Sequence, residues 1–434
     1  MAAELEVNIA SMLGLNNRRP DFRLRTQNGV FERAVVNADV TDGATIKRRR
    51  GYARSVAGSA CHSFWVDDTD DLGYYADGAN LYRVRPGLQK ALLTSALHAG
   101  RPLTYARVGD EVFASDGLSN YAISATADIV RPLGAAPLAR VPVVTATTGG
   151  ALLPGVYQIC FAFINDGREI SPTTPTLYVT IPDAGSSGAS VTGVTPGGTG
   201  ALAITELPST WSADVDRLLI YVSAPNGTVP LLQHQLVDPA TSFTLTTLNL
   251  GGMHAMTQHR IPLPPGQILR WHSGRLYSVV GNFLWFSEVY SPAICDPVNG
   301  YVQFNEPITV FEPCDSGVYL VADGAYWLEG DITQAEAKKI SPNRGVFGTG
   351  GQIRALKRCF WMSDHGFMVG DATGNAVALT DENVAVGMAT SGASLFREND
   401  GQRHLLSAVS NSQAPVTAAR SYMTAEVIRK GTKL

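Results

Sequence analysis

Seven times along this chain an apolar or aromatic run ends in a tight turn built on Asp-Gly or a close variant, and a second apolar run follows at once. The copies are "VVNADVTDGATIKR" (Asp42-Gly43), "GYYADGANLYRV" (Asp77-Gly78), "EVFASDGLSNYAI" (Asp116-Gly117) and "RLYSVVGNFLWFSE" (Gly281-Asn282). They continue with "VYLVADGAYWLEG" (Asp323-Gly324), "CFWMSDHGFMVGD" (Asp364 to Gly366) and "LFRENDGQRHLLSAV" (Asp400-Gly401). A two-residue hairpin needs positive φ at its centre, which Gly supplies without steric cost, so each copy reads as two antiparallel strands. Successive turns lie 35, 39, 42, 41 and 36 residues apart, with one gap of 165 between Asp116 and Gly281. Short strands repeating every ~40 residues are the signature of β-propeller blades. The expected fold is therefore all-β, a propeller of about six to seven blades.

The long gap carries a segment of different character. From residue 138 to 262 the chain is rich in Thr and Val, with Pro and Gly turns at the spacing of a β-sandwich. Removing that segment leaves about one blade period, so the sandwich reads as an insertion between two blades, which costs little in loop entropy. The expected organisation is 1–137 for an N-terminal segment and the first blades, 138–262 for the insert, 263–420 for the remaining blades and 421–434 for a tail. The first hairpin is expected to be a blade or the strand that closes the ring. Residues 1–13 and 421–431 are read as short helices.

Composition narrows the function. With 45% hydrophobic and 17% charged residues the chain has the apolar content of a packed globular protein. A net charge of −4 excludes the strongly basic balance of a typical nucleic-acid binder. Its five cysteines are scattered without a CxxC pair, which speaks against a zinc site or a disulfide framework and suits synthesis in a reducing cytoplasm. No run of ~18 apolar residues exists for crossing a membrane, and Glu4 and Glu6 stand where a signal peptide would be basic.

Chemistry-bearing motifs are sparse. The turn aspartates recur with the repeat, and Asp bonds its own backbone two residues on, so they read as turn residues. "VDDTDDLGYYADG" fails as a calcium loop, because counting from Asp68 the fifth position is Leu72 and the twelfth Ala79. "SDHG" (363–366) puts Ser, Asp and His side by side, but a triad needs partners that face one another. The eight histidines form no HExxH pair, and "GVFGTGGQI" lacks the GK[ST] ending of a phosphate loop. No catalytic residue, metal or cofactor is expected, and the chain is not read as an enzyme. The one sharp cationic cluster is Lys47, Arg48, Arg49 and Arg50, a candidate for a subunit or adaptor interface and, second, for contact with DNA phosphates.

Residues 18–58, with "VVNADV", an Asp-Gly turn and the step "RRRGY", resemble the opening of propeller-type proteins from the tails of short-tailed bacteriophages. "LLPGVYQICFAFINDGREISPTTP" (152–175) is similar to their fibronectin-like inserts, and "GRLYSVVGNFLWFSE" and "VYLVADGAYWLEG" to their later blades. The family resembled is the tail nozzle, or tail tubular protein B. The resemblance implies a virion protein made in the host cytoplasm: a homo-oligomeric ring, in that family a hexamer. The ring would sit below the adaptor and portal proteins, near tail fibres, and pass double-stranded DNA without reading its sequence. It implies no catalytic residues, no cofactor and no membrane partner. This chain is shorter than the large nozzles. The alternatives from other classes are a receptor- or glycan-binding tail protein and a glycan-acting propeller enzyme, since propellers host such sites.

Overall fold

The computed structural model describes residues 11–32, 38–40, 46–48, 58–67, 71–165, 169–182, 200–212, 214–383, 389–399, 402–411 and 422–426. Among these, all regular structure is strand apart from three short 3-10 turns.

Five four-stranded antiparallel sheets, each a meander of four strands in chain order, form the propeller. Blade I holds Cys61–Val66, Gly73–Asp77, Asn80–Arg85 and Gln89–Thr94. Blade II holds Thr104–Val108, Glu111–Ser115, Asn120–Ser124 and Val130–Pro132. Blade III is Ile268–His272, Arg275–Val280, Phe283–Phe286 and Tyr301–Gln303; blade IV is Val310–Pro313, Gly317–Val321, Ala325–Glu329 and Lys338–Ser341. Blade V runs Gly351–Ile353, Arg358–Ser363, Gly366–Gly370 and Ala376–Ala378. A sixth sheet has three strands, Ala389–Asn399, Gln402–Asn411 and Tyr422–Glu426.

Strand alternation builds the seams between blades. In Gly317–Val321 the side chains of Val318 and Leu320 join a core with Tyr277, Leu284 and Phe286 of blade III, whereas Tyr319 and Val321 join a core with Cys359, Trp361 and Met368 of blade V. The same division gives a I/II core (Tyr74, Leu81, Tyr105, Val112, Ile123), a II/III core (Phe113, Leu269, Leu276) and a V/VI core (Phe360, Phe367, Leu405, Val409). A sheet whose two faces bury apolar residues against the sheet before and the sheet after is a propeller blade. Each fully buried large side chain contributes roughly 1.5–3 kcal/mol here.

Neighbouring blades also bond directly, through the first strands of II and III and through the segment leading into blade V. Leu269 N–H donates to Thr104 Oγ1 at 3.0 Å, and Gly392 N–H to Phe347 O at 2.8 Å. The N-terminal strands Met12–Leu15, Arg25–Thr26 and Gly29–Glu32 form a small sheet whose Leu15 packs on the V/VI core. Asn16 Nδ2 reaches Asn383 Oδ1 at 2.9 Å, and Arg18 pairs with Asp381 at 3.1 Å. The start of the chain is thereby latched to the far end of the blade series.

The insert is a sandwich. Val143–Leu152, Gly200–Thr205 and Ser242–Leu245 make one sheet. Gly155–Asn165 pairs with Val215–Val222 on one side and with Glu169–Ile170 and Leu177–Ile181 on the other; Leu231–Leu236 completes the second sheet. Tyr157, Ile159, Phe161 and Phe163 face Leu202, Ile204 and Leu245 across the core, while the alternate residues Cys160 and Ala162 face outward beneath Ala255.

Where the described residues reach the two expected terminal helices, they are strand instead. Met12–Leu15 pairs in parallel with Gly29–Glu32, and Tyr422–Glu426 pairs with Gln402–Asn411, so part of the expected tail is a strand of sheet VI. In each case an exposed strand edge offers a ladder of unpaired backbone groups, and satisfying it outweighs weak local helix propensity. Residues 1–10 and 427–434 lie outside the described residues.

Candidate functional site

The basic cluster is only partly in view. Ile46–Arg48 pairs antiparallel with Ala38–Val40, with Arg48 opposite Ala38 and Lys47 opposite Asp39. Arg48 is exposed; Arg49 and Arg50, and the turn at Asp42-Gly43, lie outside the described residues. Lys47 and Arg48 are consecutive residues of that short strand.

The turn aspartates serve the backbone. Asp77 Oδ1 accepts the amides of Ser59 (3.2 Å) and Ala60 (2.8 Å), and Gly78 follows at φ 63°. Asp371 Oδ1 accepts Thr373 N (2.8 Å), Thr373 Oγ1 (2.8 Å) and Asn375 N (3.0 Å). Burial alone would raise the Asp371 carboxyl, but these donors hold it below the ordinary carboxylate value. Asp323 accepts Tyr326 Oη at 2.7 Å and pairs with Lys339 at 2.8 Å; those bonds lower its pKa.

Asp116 goes further. Its Oδ1 accepts Leu118 N (2.9 Å) and Ser119 N (2.7 Å), while its Oδ2 meets His98 Nδ1 (2.7 Å) and Tyr121 Oη (3.1 Å). Burial pushes the carboxyl up, but His98 and the turn amides outweigh it and the net shift is downward. An Asp that orients a His is half of a hydrolytic relay. Among the described residues no serine, threonine or cysteine bonds to the His98 ring. The pair instead clips the connector between blades I and II onto the blade II turn. Nothing in the sequence marked His98, because the two residues are 18 apart and belong to different elements.

"SDHG" resolves the same way. Ser363 Oγ donates to Gly366 O at 2.9 Å and accepts His365 N at 3.1 Å, while His365 turns away to Asp381 at 3.3 Å. Ser363 is buried and His365 half exposed, so they share no reaction centre. Among the described residues no group of three or more His, Cys, Asp and Glu side chains is placed to hold a metal ion. No described helix is long and apolar enough to cross a membrane. A cleft of about 330 Å³ is lined by Trp327, Glu329, Glu336 and Lys338, and one of about 290 Å³ by Cys61, His62, Ser63, Phe64 and Tyr75.

One largely buried charge pair is structural. Arg270 on the first strand of blade III grips Glu312 on the first strand of blade IV, Nε to both carboxylate oxygens at 3.1 and 3.0 Å. Burial would lower the Arg270 pKa, but Glu312 more than offsets it and the net shift is upward. Arg131 plays the corresponding part for the insert, meeting Glu111 of its own blade at 2.6 Å and Glu169 of the sandwich at 2.7 Å.

These sheets define a β-propeller interrupted by a β-sandwich. No protein-family model and no curated protein matches the chain. Among solved structures it is similar to BBS1N in complex with ARL6DN, at 10% identity over 82% of this chain and 90% of that one, with a TM-score of 0.32. It is also similar to the Neurospora crassa Pan2 WD40 domain (10% identity, 81% and 85% covered, TM-score 0.30). A third is dipeptidyl peptidase 4 of Porphyromonas gingivalis (8% identity, 82% and 51% covered, TM-score 0.30). Likeness at that level carries no functional argument, and the fold rests on the sheets and seams above.

Proposed function

We propose that this chain is a structural protein of a short-tailed phage virion, assembling as a nozzle-like ring below the adaptor and portal proteins. Double-stranded DNA leaves through the lumen without sequence-specific contact. The observation that carries the reading is the order of parts. Blades I and II come first, then the sandwich strands between Val143 and Leu245, then blades III to V and sheet VI. That order is the one the sequence resemblance implies. The polar constellations support a scaffold as well, since Asp77, Asp116, Asp323 and Asp371 each spend their oxygens on the chain itself.

A conduit gains nothing from a tight grip on phosphate, because every neutralised phosphate adds salt-dependent affinity that release must undo. The net charge of −4 fits a passage of that kind. Lys47, Arg48, Arg49 and Arg50 are assigned to the contact between subunits or with the adaptor.

The test is assembly. Negative-stain microscopy of the purified chain, alone and with the adaptor, is expected to show closed rings of six. Rings of three would favour a fibre or receptor-binding role, and failure to form rings even on the adaptor would overturn the nozzle reading. Replacing Lys47 to Arg50 with Ala should block particle assembly while leaving the monomer folded; normal particle yield would remove that interface assignment.

A further inference from the structure

We infer that Cys314 and Cys359 are an oxidation site, at which a small two-electron oxidant joins the two thiols into a disulfide that ties blade IV to blade V. All five cysteines are free thiols, and they are not equivalent. Cys61 is exposed on blade I, Cys160 lies on the outer face of the sandwich sheet and Cys295 belongs to the II/III seam. Cys314 and Cys359 alone share a core cluster. The Cys359 Sγ lies 3.1 Å from Pro313 O, the residue before Cys314, and 3.6 Å from Glu312 O. Cys314 is the neighbour that most affects the Cys359 thiol.

Both backbones are pinned. Cys314 N–H donates to Gly317 O at 2.7 Å, closing the hairpin of blade IV, and Cys359 lies inside a strand paired on both sides. Both cysteines are therefore held in a fixed frame within one core cluster, and a disulfide needs its two Cβ positions held close. The neighbouring Cys314 and then burial push the Cys359 thiol well up, which keeps that group protonated and slows its thiolate chemistry. Entry is from the Cys314 side, which keeps a sliver of surface where Cys359 has none. A small, neutral oxidant is the class that fits. With an azo reagent such as diamide, two S–H bonds break and one S–S bond forms. The two electrons and two protons pass to the N=N bond, which becomes a hydrazine. The new bond closes a loop of roughly 45 residues, restricting the unfolded chain and raising stability. It stands apart from the tail reading, since it is a property of the single folded chain.

The experiment uses the full chain, reduced, desalted and incubated with diamide under native conditions. Alkylation after denaturation is expected to count three free thiols where five stood before. Digestion with trypsin and Asp-N, which separates Cys295 from Cys314 at Asp296, is expected to yield under non-reducing conditions a peptide pair linking 314 to 359 that reduction separates. The thermal midpoint should rise and return on reduction. Cys314→Ser and Cys359→Ser should each abolish the link and the rise, and Cys61→Ser should keep both. Cys314→Ala serves if the serine does not fold. The proposal is overturned if folded protein exposed to excess diamide keeps both thiols alkylatable, or if either is found linked only to another cysteine.

Discussion

The seams between blades I and II and between blades IV and V are filled with the same kind of residue and finished differently. In the first, Trp65, Tyr74 and Tyr105 stack with centroids 5.6 to 6.1 Å apart. In the second, Tyr319 lies 4.7 Å from Trp327 and 5.3 Å from Trp361. The hydroxyl of Tyr319 donates to Asp371 O (2.7 Å) and Asn375 O (3.0 Å), so the Asp371 turn of blade V is bolted to the ring of blade IV. The hydroxyls of Tyr74 and Tyr105 are buried and have no hydrogen-bond partner among the described residues. Burial raises all three phenols, Tyr105 and Tyr319 most, so none ionises in ordinary buffers. Aromatic area alone closes a seam; hydrogen bonds decide whether it is also locked in one arrangement.

The largest effect should come from crowding the locked seam. A Cβ on Gly370 would overlap the Tyr319 ring, and that ring is held by its two carbonyl partners. Gly370→Ala is expected to cost ~1–3 kcal/mol or more by denaturant unfolding, the price of overpacking where neighbours do not yield. At Gly78, in blade I, nothing stands within 4 Å of the added Cβ, and the cost of Gly78→Ala reduces to the positive φ of 63°, ~1–2 kcal/mol. If Gly78→Ala proved the more damaging, the IV/V seam would not be the rigid one.

Next comes a pair of hydroxyl deletions. Tyr319→Phe should cost ~0.5–1.5 kcal/mol, since two carbonyls lose their donor. Tyr105→Phe should be neutral or stabilising, because it removes a buried hydroxyl that bonds to none of the described residues. A loss at Tyr105 equal to that at Tyr319 would mean that a bridging water satisfies the I/II seam and that the contrast is one of solvent, not of bonding.

Acid should separate the seams as well. A carboxyl lowered in the folded state stabilises it above its unfolded pKa, and that contribution is lost as pH falls through the folded value. Asp371 is lowered and sits in the IV/V seam, so wild-type stability should fall below about pH 4. Asp371→Asn should flatten the slope there while lowering stability near neutrality. An unchanged slope would detach Asp371 from the acid limb.

Much of the propeller was legible because the signal is periodic and local. The turns at Asp77-Gly78, Asp116-Gly117, Gly281-Asn282, Asp323-Gly324 and Asp364 to Gly366 each join the second and third strands of a blade. The alternation of Val318, Leu320 and Leu328 on these strands puts them, with Tyr326, in the III/IV seam. What one sequence could not show were pairs brought together from afar: His98 with Asp116, Arg270 with Glu312, Cys314 with Cys359. The reason for one glycine was also misread. Positive φ is found at Gly78, Gly117, Gly281 and Gly366, but not at Gly324. There the demand is space, since a Cβ would strike the Lys339 side chain and come within 2.7 Å of Ser341 O.

The smallest effect belongs to Asp323→Asn, which bears on whether any turn aspartate does more than turn. Asn keeps an oxygen for the Tyr326 hydroxyl at the position where Asp323 Oδ1 stands, and it suits the turn equally. What it loses is the pair with Lys339, whose side chain is largely in water, where an ion pair contributes little and salt screens it. The unfolding midpoint should therefore stay within error of wild type at moderate salt, and any small difference should vanish as salt rises. Gly324→Val next door should lower the midpoint by more than the aspartate change but by less than Gly370→Ala, because its clash with Ser341 O is against backbone and cannot be relieved by a rotamer. A folded Asp323→Asn variant that failed to assemble or to bind would reverse the ranking and make the aspartate a contact residue.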